Sequence, residues 1–160
     1  MTIAVGDTVP DTGFSIMTTQ GPEGLSSEDL FKGKTVALFG VPGAFTPTCS
    51  AKHVPGFLAN AEAFKAKGVD TIACVSVNDP FVMGAWGKDQ NVGDTITMLA
   101  DGSANFAKAA GIELDLTERG LGMRCCRFSA IIENGVVKIL NLEEGGAFEV
   151  SSAEDLLAAL

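Results

Sequence analysis

Apolar positions along the chain follow two spacings in turn. Residues 35–39 form a short apolar run closed by Gly40, which predicts a buried strand. Residues 71–77 (TIACVSV) and 95–99 predict two more. Runs at 127–132 and 136–142 flank Glu133-Asn134-Gly135. Asn-Gly is a strong tight-turn signal, so these two runs are expected to pair as an antiparallel hairpin. Elsewhere the spacing becomes helical. Val54, Phe57, Leu58, Ala61 and Phe64 follow the i, i+3, i+4 pattern of a central helix that Gly68 ends. Pro55 lies inside it and is expected to kink it. Asp79-Pro80 supplies an N-cap followed by a first-turn proline. Ser26-x-x-Asp29 resembles a capping box, and Ser151-x-x-Glu154 is the full form. The second is expected to open a C-terminal helix with Ala153, Leu156, Leu157 and Leu160 on one face. Strand and helix patterns alternate without repeat, low-complexity tract or linker. The expectation is one α/β domain over residues 1–160.

Composition narrows the class. A chain of 160 residues, 46% hydrophobic and 19% charged, can bury a core without disulfide or metal staples. The 20 acidic and 11 basic residues leave a formal charge of −9. Nucleic acid and anionic membrane surfaces are therefore poor partners, since phosphate is bound through Lys and Arg. The longest apolar stretch, residues 36–45, is broken by Gly40, Pro42 and Gly43 and falls far short of the roughly 20 residues of a membrane span. No secretory pattern opens the sequence, so the cytoplasm is the expected location. There, four cysteines are expected to be thiols rather than a disulfide framework.

These cysteines, with a single histidine, are the reactive inventory. Thr46 suits an N-cap and Pro47 a first helical residue, which places Cys49 in the first turn. The unpaired N–H groups and helix dipole there favour an anion, and the thiolate is the reactive form of cysteine. The site would follow a strand of an open α/β sheet, where such folds place their chemistry. The alternative is a small buried hydrophobe.

Pro42-x-x-x-Thr46-x-x-Cys49 resembles the active-site signature of the peroxiredoxins. The run VPGAFTPTCS at 41–50, with His53-Val54-Pro55-Gly56-Phe57, is similar to the type II, peroxiredoxin-five-like subfamily. The similarity continues through TIACVSVND at 71–79, Trp86-Gly87, Leu99-Ala100-Asp101 and Arg127-Phe128-Ser129. It implies a thioredoxin-like fold, with a central mixed β-sheet flanked by helices. It also implies reduction of hydrogen peroxide and alkyl hydroperoxides in antioxidant defence. Cys49 would be the peroxidatic cysteine and pass through a sulfenic acid. Thr46 would hydrogen-bond thiolate and peroxide, Pro42 would shield the pocket, and Arg127 would hold the thiolate and the charge on the leaving oxygen. Arg124 is the competing arginine. No metal or organic cofactor is implied.

Some subfamily members resolve the sulfenic acid with a cysteine before the last helix, but here residues 146–152 read GAFEVSS. Cys74 follows Cys49 by the 25 residues that plant and bacterial members share, yet it lies in a strand pattern that predicts burial. Cys125 and Cys126 fall outside the family pattern. If the strand extends back, Cys125 shares a face with Arg127 and leans towards the site. Each of the three is a possible resolving thiol. The cycle favoured by this pattern uses one cysteine, with glutathione, glutaredoxin or thioredoxin as reductant. His53, one helical turn after Cys49, is either a hydrolase-like partner or a local support of the pocket. The other functions open at this point are a thiol–disulfide oxidoreductase, which the lack of C-x-x-C disfavours, and a non-catalytic redox sensor. Type II members commonly dimerise, and Phe45, Phe81 and Trp86 are candidate contacts of a homodimer.

Overall fold

The computed structural model describes all 160 residues. A hairpin of β1 (Phe14–Thr18) and β2 (Gly21–Leu25) leads through α1 (Ser27–Phe31) into β3 (Thr35–Gly40). A loop and a wide helical turn, Cys49–His53, precede α2 (Val54–Ala59) and α3 (Ala61–Ala66). Then come β4 (Thr71–Ser76), α4 (Pro80–Asp89), β5 (Thr97–Ala100) and α5 (Asn105–Ala109). A two-stranded ribbon of β6 (Glu113–Leu116) and β7 (Gly122–Cys125) is followed by the hairpin of β8 (Phe128–Glu133) and β9 (Val136–Leu142), and by α6 (Ala153–Ala158).

Seven strands make one mixed sheet in the order β2-β1-β5-β4-β3-β8-β9. β3, β4 and β5 run parallel, and β8 pairs antiparallel with β3. Alternation along the strands divides the core. Ala37, Phe39, Ile72, Cys74 and Ile131 face Phe57, Phe64, Trp86 and Leu156 from the helices on one side. Val36, Leu38, Ala73, Val75 and Ala130 face Leu30, Phe31 and Phe106 on the other. The expected hairpin forms, with Asn134 and Gly135 at φ of 49° and 81° as a two-residue primed turn requires.

Three local expectations change. Ser26 and Asp79 cap α1 and α4 through Asp29 N and Val82 N. The cap of α6, however, is Ser152, which accepts from Asp155 N at 3.0 Å, while Ser151 is buried in another network. Leu160 is exposed beyond the end of that helix. The central helix is not simply kinked at Pro55. The Cys49–His53 turn widens so that Val54 N donates to Cys49 O, and the axis breaks at Asn60. A proline has no N–H for the carbonyl four residues back and its ring presses on that carbonyl, so a wider turn ahead of Pro55 relieves both defects.

Candidate active site

The site lies where β3 leaves the sheet. Gly40 is required there, because a Cβ would fall 2.2 Å from the Phe128 ring on β8. Val41 N continues the pairing to Val75 O, and Ala44 N donates to the Asn78 side chain after β4. Within this anchored loop Phe45 takes φ of 63°, a strained conformation for an aromatic residue. Pro47 and Thr48 then open the helical segment. Thr46 occupies the cap position, and its carbonyl accepts from Ser50 N. Its hydroxyl does not cap the helix. It lies 2.7 Å from Gly43 O and 2.9 Å from Cys49 Sγ.

Cys49 is fully buried, and its sulfur meets two side chains. Besides Thr46, Arg127 Nη2 lies 3.1 Å away. Arg127 precedes β8 and is 2% exposed. Its Nη1 lies 2.9 Å from His53 Nδ1, and its Nε donates to Gly146 O at 3.3 Å. No carboxylate pairs with it, since the two ion pairs of the chain are Lys32–Glu28 and Lys65–Glu62 at the surface. A buried guanidinium without an anion is costly, and the Cys49 sulfur is the group placed to supply one.

The geometry assigns the histidine tautomer. Arg127 can only donate, so His53 Nδ1 accepts, and Nε2–H donates to Ser151 O at 2.9 Å. Burial, then the Arg127 charge, hold the imidazole down to about 3, against the opposing pull of the Ser151 carbonyl and Glu143. His53 is therefore neutral. It touches Arg127 rather than Cys49, which removes the hydrolase-like pairing and leaves the supporting role. No cluster of side chains suited to a metal ion occurs.

The remaining candidates are distributed as follows. Pro42 is half-buried on the loop beside Gly146. Arg124 reaches Leu121 O and Pro42 O and stays outside the sulfur's contacts. Cys74 is buried in the same core cluster as Cys49, and burial, with the Cys49 charge second, pushes its thiol far up. Cys125 does not share a face with Arg127 towards the site. β7 belongs to the separate ribbon and ends at Cys125, so strand alternation stops before Arg127. The Cys125 thiol donates to Val41 O and packs with Ala104 and Ala107, and burial pushes it up strongly. Cys126 packs against the opposite core. All four cysteines are free thiols. Trp86 is buried and donates to Ser50 Oγ, whereas Phe45 and Phe81 are exposed.

Two contributors escaped the sequence reading. The Glu143 carboxylate and the Ser151 carbonyl act on Arg127 only through the folded 144–151 loop and His53, and no local pattern marks them.

The redoxin family model matches residues 4–157. Peroxiredoxin-2B of Arabidopsis thaliana is 52% identical over 159 residues, covering 99% of this chain and 98% of the plant protein. The chain is a type II peroxiredoxin of the redoxin family. Among solved structures, reduced Prx3 from Vibrio vulnificus in complex with hydrogen peroxide is 54% identical, with a TM-score of 0.93 over 98% of each chain. A Burkholderia cenocepacia structure described as a putative thioredoxin reductase is 49% identical, with a TM-score of 0.97 over 100% of this chain and 99% of that one. The mixed sheet with flanking helices is thus the thioredoxin-like peroxiredoxin fold. The peroxiredoxin is a thiol peroxidase, an oxidoreductase of antioxidant defence.

Proposed function

We propose that Cys49 is the peroxidatic cysteine and that Thr46, Arg127 and Pro42 complete its site. The observation that carries this reading is the convergence of Thr46 Oγ1 and Arg127 Nη2 on one buried sulfur, at 2.9 and 3.1 Å. In the thiol form S–H donates to Thr46 Oγ1, whose own proton goes to Gly43 O. On ionisation the hydroxyl turns to the sulfur, and Arg127 balances the charge. The thiolate then attacks one peroxide oxygen. The O–O bond breaks, sulfur becomes sulfenic acid, and the departing oxygen takes a proton to leave as water or alcohol. Arg127 and Thr46 are placed to hold the charge that grows on that oxygen, and Pro42 closes the loop beside it. The relative solved with hydrogen peroxide supports this substrate class.

The proposed cycle uses one cysteine. An external thiol, from glutathione, glutaredoxin or thioredoxin, displaces water from the sulfenic acid to give a mixed disulfide, and a second thiol releases Cys49. The strongly raised thiols of Cys74 and Cys125, and the place of Cys126 on the other core face, favour this route over internal resolution. Thioldependent turnover fits a reducing compartment, for which we propose the cytoplasm. Exposed Phe45 and Phe81 support a homodimer through the loops near the site; Trp86 is a core residue and drops out of that surface.

The test is peroxide turnover with each of the three donors in the four Cys→Ser variants. Turnover lost only in Cys49→Ser supports the cycle. Loss in Cys74→Ser, Cys125→Ser or Cys126→Ser would establish a resolving cysteine and overturn it.

A further inference from the structure

Glu143 is a buried carboxylate, 5% exposed, that lies outside the Cys49 contacts and has no cationic partner. One of its oxygens accepts four hydrogen bonds: Glu149 N, Val150 N and Ser151 N at 2.8, 2.8 and 2.9 Å, and Ser151 Oγ at 2.7 Å. So many donors on a single oxygen close the 144–151 segment into a loop tied to the end of β9. Burial alone would raise this carboxyl, but the bonds from Ser151, Val150 and Glu149 together bring it below its ordinary value.

What the loop touches gives the clasp its meaning. Gly145 O accepts from Arg127 N, and Gly146 O accepts from Arg127 Nε. The Phe148 ring lies 5.8 Å from the guanidinium and packs edge-on against His53. Ser151 O takes the His53 Nε2 proton, which leaves Nδ1 free to accept from Arg127. Glu143 N itself donates to Arg127 O. Nearly every contact that orients Arg127, apart from Cys49, comes from this loop or through it.

We propose that Glu143 is a positioning residue of the peroxidase site: its carboxylate holds the 144–151 loop in the shape that sets the His53 tautomer and aims Arg127 at Cys49. This rests on the reading of Cys49 and Arg127 given above. Glu143 touches no reacting atom. Its effect travels as geometry, through Ser151 O to His53 and through Gly146 O to Arg127.

The chain has one histidine, so its imidazole nitrogens can be followed without assignment. The experiment compares wild type, Glu143→Gln and Ser151→Ala. It reads the His53 ring nitrogens by NMR, the ultraviolet titration of the Cys49 thiolate, and the single-turnover rate with hydrogen peroxide. Wild type is expected to show a fixed Nε2–H ring. Glu143→Gln is expected to mix the tautomers, move the thiolate titration to higher pH and slow peroxide reaction by roughly ten- to hundred-fold, the scale of a displacement near 1 Å at a reacting centre. Ser151→Ala, which keeps the carbonyl and removes one donor, is expected to shift the same readouts less. A folded Glu143→Gln with wild-type ring signals and wild-type titration would overturn the proposal. If that variant does not fold, an unchanged Ser151→Ala would overturn it. The ring signals do not depend on which cysteine reacts, so failure of the Cys49 reading would appear separately, as turnover retained in Cys49→Ser.

Discussion

At the scale of single residues, the site depends on placing a positive charge where no carboxylate can claim it. The chain carries a formal charge of −9, yet Arg127 is buried against a neutral imidazole, a backbone carbonyl and a sulfur. Arg127→Gln should slow the reaction with peroxide by roughly a hundred- to a thousand-fold, about 3–4 kcal/mol for the loss of one oxyanion-type donor. Stopped-flow kinetics measure this, and an unchanged rate would transfer the role to another cation. The neutral His53 has a thermodynamic signature. Its folded-state value near 3 lies below the usual 6.5, so the unfolded chain takes up the proton first. The His53 contribution is whole above about pH 6.5 and is lost as pH falls towards 3, by up to about 1.4 kcal/mol per pH unit. Denaturant unfolding of wild type and His53→Gln between these limits should show a shallower pH dependence in the variant. Equal slopes would mean that His53 is protonated in the native protein. Pro42, Thr46 and Cys49 were legible in the sequence because they form a spaced signature, and Arg127 because the Arg127-Phe128-Ser129 run resembles the family; no local pattern alone marks that arginine. Glu143 was not, since its four donors meet it only after the loop has folded.

At the scale of elements, the wide turn at Cys49–His53 does what an ordinary first turn would not. It carries Cys49 and His53 to the same buried guanidinium from one short segment. Pro55→Ala restores an N–H and removes the clash that makes the turn wide. It should raise intrinsic helix stability, since alanine is the better helix former, and yet slow peroxide reaction by about ten-fold or more through displacement of Cys49. Thermal unfolding and single-turnover kinetics measured together would show the split, and a wild-type rate would remove the turn from the account. Cys49 is buried, so the proposed one-cysteine cycle requires this segment to open before an external thiol can reach the sulfur. Sequence patterns located β3, β4, β5, β8 and β9 of the central sheet, the β8–β9 hairpin and the caps of α1 and α4, but they marked neither β1 nor β2. They failed where tertiary contacts decide. Ser151 has the spacing of a cap, but Glu143 claims its hydroxyl and Ser152 takes its place. Cys125 aligns with Arg127 only if one continuous strand joins them, whereas the chain passes from the ribbon to the sheet between them.

At the scale of the whole molecule, the two-faced sheet separates the four thiols into different environments. Cys49 and Cys74 lie on the face covered by α2, α3, α4 and α6, Cys126 packs on the other face, and Cys125 occupies a small cluster at the ribbon. Only Cys49 meets a cation and a hydroxyl at its sulfur. The central claim is therefore that one thiol of four performs the peroxide chemistry. Addition of one equivalent of hydrogen peroxide to the reduced protein, followed by a sulfenic-acid trap and peptide mapping, tests it most directly. The account predicts the trapped adduct on Cys49, with Cys74, Cys125 and Cys126 recovered as free thiols. An adduct on another cysteine, or peroxide consumption retained in Cys49→Ser, would contradict it.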